Sequence, residues 1–227
     1  MGKRIKLRER ILPRYTRGEE LFNMVSHIAG GIFAIVALCT CVCVAAICRN
    51  FWGVAAGAVY GGTMILLYSM SSVYHGLTAH MPKRVFQIID HCSVFLLIAG
   101  TYTPFTLVAL RPKYAAVAWS IFGVVWGFTA LGIVLNSIDL RKFRIFSMIC
   151  YIGTGWSIIV AAKPLLDVLP VAGFVLLILG GAAYTVGAVL YGVGKRVKFM
   201  HSVFHLLVLA GSVFHYICIL AFVMPVR

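Results

Sequence analysis

The chain has 227 residues, 62% of them hydrophobic and only 11% charged, a composition that excludes an ordinary water-soluble globular domain. Its 20 Lys and Arg against 6 Asp and Glu give a net charge of +14, but these basic residues punctuate apolar runs without any nucleic-acid-binding motif. The charge therefore reads as membrane orientation and contact with anionic lipid, and the seven scattered cysteines exclude a disulfide framework.

Residues 1–23 form a basic N-terminal segment. The apolar stretch behind it is too long for a signal-peptide core and no small-residue cleavage pattern ends it, so the segment is expected to stay attached. Lys6 stands where a myristoylation motif beginning Met1-Gly2 requires Ser or Thr, so no lipid anchor is expected. Between residues 3 and 17, Ile5, Leu7, Ile11 and Leu12 alternate with basic residues, a pattern compatible with an amphipathic headgroup segment or with disorder.

Seven apolar runs follow, at Met24 to Cys48, Phe51 to Tyr74, Ile88 to Leu110, Ala115 to Leu135, Phe143 to Ala162, Val168 to Tyr191 and Ser202 to Val223. A helix of about 20 such residues crosses a bilayer, and the runs are too long and continuous for barrel strands. The expected fold is all-α: one seven-helix transmembrane domain over residues 1–227, without internal repeats or linkers. Cys39, Cys41 and Cys43 turn by about 200° at each step of two, so they cannot converge on a metal. Pro104, inside the third run, is expected to kink it.

Orientation follows from the loops. Lys3, Arg4, Lys6, Arg8, Arg10, Arg14 and Arg17 precede the first helix. Lys83 and Arg84, then Arg141, Lys142 and Arg144, then Lys195, Arg196 and Lys198 fall on the same side. Only Arg49, Arg111, Lys113, Lys163 and Arg227 fall on the other. The positive-inside rule predicts a cytoplasmic N-terminus and an extracytoplasmic C-terminus.

In that orientation the ionisable residues share one leaflet. Glu20, Asn23 and His27 open the first helix, Ser71 and His75 close the second, Asp90 and His91 open the third, and His201 and His205 open the seventh. On the seventh helix His201, His205, Ser212 and His215 fall within a sector of about 80° that is expected to face the interior. Tyr68, Ser71 and His75 share a face of the second helix, and Asp90 and Thr101 one of the third. A single His or Ser in a membrane helix often only bonds a neighbouring helix, and His27, His91 and His215 carry that reading as well. Glu20 and Asn23 also suit capping of the first helix, and His80 falls in a loop.

His201 and His205, at i and i+4, can chelate one ion, and His75 is the third ligand at the same depth. Three protein nitrogens and an open position are the pattern of a catalytic zinc site. Asp90 is the expected general base and acid, and Ser71 its orienting partner or an oxyanion donor. His215 lies about 15 Å beyond His205 along the axis, too deep to bind the same ion. The chemistry implied is hydrolysis of an acyl amide or ester entering from lipid.

The motifs ExxNxxxH (Glu20, Asn23, His27), SxxxH (Ser71, His75), the Asp at Asp90 and HxxxH (His201, His205) together resemble the hemolysin III family. This is the mainly bacterial branch of the progestin and adipoQ receptor superfamily, itself grouped with alkaline ceramidases as metal-dependent membrane hydrolases. The resemblance implies a bacterial plasma-membrane location, zinc on His75, His201 and His205 with Asp90 and Ser71 beside the bound water, and a role in haemolysis or membrane-lipid homeostasis. The function expected is that of a zinc-dependent hydrolase or a lipid sensor acting on acyl amides or esters in the inner leaflet, with a membrane lipid or fatty-acyl ligand as partner, a homo-oligomer allowed and no nucleic acid. Two other functions compete. A pore-forming cytolysin needs a polar stripe across the bilayer, whereas the polar residues here stay in one half. An ion or proton transporter shares the His and Asp pattern, but paired broken helices are missing from the sequence.

Overall fold

The computed structural model describes residues 7–193 and 197–225. Met1, Gly2, Lys3, Arg4, Ile5, Lys6, Lys195, Arg196 and Arg227, which entered the readings above, lie outside the described residues. Among the described residues seven helices are long and apolar enough to span a membrane: Arg17–Ile47, Phe51–Gly76, His80–Leu110, Ala115–Asp139, Arg144–Val168, Val171–Gly192 and Met200–Val223. They are named below as the first to seventh spans.

The bundle is apolar on its outer surface and keeps its polar groups inside, set within an apolar core. Ile32, Val134, Ile149 and Val160 are more than half exposed, while Asn23, Ser71, His75, His205 and Ser212 are buried. Acyl chains solvate the first set and would leave the second without hydrogen bonds, so this partition suits lipid. The third span is the central helix, with 83% of its most apolar window buried against at most 44% in any other span. Gly100 and Gly132 permit its close packing, since a methyl group at either would collide with Thr63 or Phe95.

Several spans extend beyond their apolar runs. The first starts at Arg17, seven residues before Met24, because Thr16 and Glu19 form a capping box. Thr16 N–H donates to Glu19 Oε2 at 2.8 Å, and Glu19 N–H donates to Thr16 Oγ1 at 3.3 Å. The third span starts at His80, which is helical and exposed instead of part of a loop. Pro82 falls in its first turn, where a missing N–H costs nothing. The fifth span runs on to Val168 through a 3-10 stretch, Ser157–Ala161, so Val168 ends that span and the sixth begins only at Val171.

Pro104 marks a change of winding. The third span is α-helical over His80–Pro104 and π-helical over Phe105–Leu110, with Arg111 N–H donating to the Thr106 carbonyl at 3.0 Å. The seventh span ends likewise in a π-helical turn, Ile219–Val223. At the opposite, N-terminal end of the bundle, the first, third, fifth and seventh spans begin and the others end.

Candidate metal centre

The end of the second span and the start of the seventh bring three imidazoles together. His75, His201 and His205 each offer a ligand atom within 4.8 Å of the other two. His201 Nε2 lies 3.3 Å from His75 Nε2 and 3.0 Å from His205 Nε2. Two nitrogens on one tetrahedral zinc at about 2.0–2.1 Å stand about 3.3 Å apart, so this donor set fits such an ion.

Glu20 fixes the tautomer at His75. Its Oε2 accepts from His75 Nδ1–H at 2.7 Å, which leaves the Nε2 lone pair facing the cluster. Its Oε1 pairs with Lys83 Nζ at 2.8 Å, and the same ammonium donates to the Leu77 carbonyl at 2.9 Å. Glu20 is therefore tied to His75 and does not cap the first span. The cap belongs to Thr16 and Glu19, and the Thr-x-x-Glu spacing was a readable signal for it.

Asn23 and His27, one and two turns further along the first span, support the seventh span. Ser202 Oγ donates to Asn23 Oδ1 at 2.7 Å, beside His201. The His27 ring stacks on His205 with centroids 3.7 Å apart, edge-on to Tyr68. Both His27 nitrogens are buried without a hydrogen-bond partner among the described residues, so its contribution here is a stacking face.

Asp90 and Ser71 line an interior cavity together with His27, His201 and His205. The Asp90 carboxylate is 3.7 Å from His91 Nδ1, which itself donates to the Gln87 carbonyl at 2.8 Å. From this polar end the cavity follows Leu67, Val94, Leu97, Phe105 and Val208 to His215. It is thus an apolar channel with carboxylate, hydroxyl and imidazoles gathered at one end.

His215 belongs to a separate environment. Its Nε2–H donates to the Leu177 carbonyl at 3.1 Å, and its ring packs on Tyr184 and Phe105. Between it and the cluster, Tyr68 donates to Ser212 Oγ at 2.7 Å, and Tyr184 hydroxyl lies 2.8 Å from the same atom.

Sequence reasoning missed Tyr15, Lys83 and Tyr191. Tyr15 stacks on His201, with centroids 5.0 Å apart and planes at 15°, and Tyr191 meets the same ring at 5.4 Å. Burial, with Tyr191, Glu20 and Asp90 adding to it, raises the Tyr15 phenol above its ordinary range, so it is a neutral ring here. An aromatic directly ahead of a capping box was the only signal for Tyr15. Lys83 gave none beyond its place in the charge count.

A seven-span bundle with a three-histidine cluster beside an interior cavity defines a class of polytopic membrane proteins able to hold a metal ion. The chain belongs to the haemolysin-III related family, whose pattern matches residues 15–216. It is 40% identical to hemolysin-3 of Bacillus cereus over 209 residues, covering 91% of this chain and 93% of that one. It is 35% identical to the hemolysin-3 homolog of Bacillus subtilis (strain 168) over 212 residues, 93% and 98% of the two chains. A more distant similarity, 24% identity over 176 residues, links it to the human monocyte to macrophage differentiation factor, covering 74% and 70%. No solved structure gives a significant match. The chain is a multi-pass membrane protein, and in bacteria the membrane concerned is the plasma membrane.

Proposed function

We propose that this protein is a zinc-dependent membrane hydrolase acting on an acyl amide or ester of a lipid, with its site in the inner leaflet and its N-terminus in the cytoplasm. One observation carries the reading: three imidazole nitrogens converge at the end of an apolar cavity that Asp90 and Ser71 also line. A purely structural histidine cluster would have no need of an adjoining apolar channel.

His75, His201 and His205 would hold the ion through Nε2, with Glu20 keeping His75 in the required tautomer. Zinc bound there would polarise an acyl carbonyl and lower the pKa of a water to near neutrality. Asp90 takes the proton from the attacking water and returns it to the leaving nitrogen or oxygen. Ser71 donates a hydrogen bond to the carbonyl oxygen as negative charge develops on it. Leu67, Val94, Leu97 and Phe105 accommodate the acyl chain and exclude bulk water. The remaining basic loops bind anionic headgroups.

The test uses the purified full chain in nanodiscs, with zinc content measured and fatty-acid release followed from N-acyl sphingoid and phospholipid substrates. Release is expected to need zinc and to disappear in Asp90→Asn and His75→Ala. Zinc-free protein that retains full release overturns the reading. The name hemolysin-3 carried by the Bacillus relatives favours a second reading, membrane permeabilisation. Dye leakage from liposomes that survives Asp90→Asn would support that reading in place of hydrolysis.

A further inference from the structure

The cavity gives lipid a way to the histidines but is a poor route for a hydrated cation, because its walls are mostly aliphatic and aromatic. His201 has a second side. There the Tyr15 ring lies parallel to it at 5.0 Å and reaches His75 at 5.8 Å, and Tyr15 is not among the described residues lining the cavity.

Tyr15 sits at the end of a strap, residues 7–16, drawn across the N-terminal end of the bundle. The strap is anchored at two places, one of them away from the histidines. Arg84 Nε, on the third span, donates to the Arg10 carbonyl at 2.8 Å, and Arg10 Nη2 donates to the Ile138 carbonyl of the fourth span at 3.1 Å. At its other end, Glu19 accepts from Thr16 N–H and Oγ1–H through Oε2, and from Phe199 N–H through Oε1 at 2.8 Å. One carboxylate thereby joins the strap to the turn that leads into the seventh span, where Phe199 has a positive φ of 60°. Its apolar hold is partial: Leu7 and Leu12 are half-buried and Ile11 is 83% exposed. A segment fixed by a few polar contacts at its ends can open locally without unfolding the spans.

We propose that Tyr15 is a positioning and closing residue for the histidine cluster: the strap seals its N-terminal side, and metal enters and leaves there while lipid uses the cavity. This rests on the metal-binding reading above. Closing a door slows traffic in both directions, whereas weakening a ligand accelerates release alone.

Full-length protein in nanodiscs would be loaded with zinc and mixed with excess chelator, and the metal-free protein mixed with zinc, both followed with a fluorescent zinc indicator. In Tyr15→Ala, uptake and release should both accelerate by roughly three- to tenfold, the worth of one aromatic stack. Tyr15→Phe should match the native rates, since the ring and not the hydroxyl provides the cover. Arg84→Met, which frees the strap without touching the histidines, should accelerate both rates and serves if Tyr15→Ala fails to fold. Unchanged rates in both Tyr15→Ala and Arg84→Met, or faster release with unchanged uptake, overturn the strap's role while leaving the metal site standing. A native chain that takes up no zinc overturns both.

Discussion

The two halves of the seventh span place histidines on the same helical face with opposite outcomes. At its start, His201 Nε2 faces both His205 Nε2 and His75 Nε2, an arrangement able to hold a cation. Ten residues beyond His205, His215 spends its Nε2–H on the Leu177 carbonyl and packs between aromatic rings. Helical spacing put all three toward the interior. What separates them is the neighbouring helix: the second span presents an imidazole at one level, and the sixth presents a backbone carbonyl at the other.

The most drastic way to break that contrast is to remove a histidine from each half. His205→Ala should abolish zinc binding measured by chelator competition, while His215→Ala should bind zinc like the native chain and lose about 1–3 kcal/mol of stability in detergent unfolding. Equal loss of zinc from both would show that the halves work as one site. A finer test addresses what holds the first half in order. Glu20→Gln keeps the shape but weakens the acceptor on His75 Nδ1–H, and zinc affinity should fall roughly 10–100-fold, with some loss of stability as well because the buried Lys83 loses its counter-charge. The smallest effect on the metal is expected from the second half. A methyl at Gly180 collides with the His215 ring, so Gly180→Ala should cost about 1–3 kcal/mol in stability and leave zinc affinity unchanged. A shift in zinc affinity there would mean that strain passes along the cavity from His215 to His205.

The comparison also shows which residues could be read ahead of the structure. His201 and His205 were legible because i and i+4 is a local relation, fixed by helix geometry whatever the helix packs against. His75 followed from depth, which the bilayer imposes on every span at once. Glu20 was legible as a polar residue of the right leaflet but not as the partner of His75, because that depends on the rotation of the first span against the second. Tyr15 and Lys83 had no periodicity to give them away. His80 and the early start of the third span were misjudged because apolar length measures the membrane, whereas a helix continues wherever its first turn tolerates the residues present.

By itself the sequence determined the seven membrane-spanning helices, the single level at which ionisable groups gather, and the pair of histidines facing one point. Those follow from backbone hydrogen bonding in lipid and from the helical repeat, both of which act within one segment. Only the tertiary structure decided that Glu20 orients His75, that His27 stacks on His205, that His215 is satisfied by Leu177, and that Tyr15 covers His201. Each of these is a contact between segments far apart in the chain, set by how the spans rotate and settle against one another, and that choice belongs to the packing of the whole bundle.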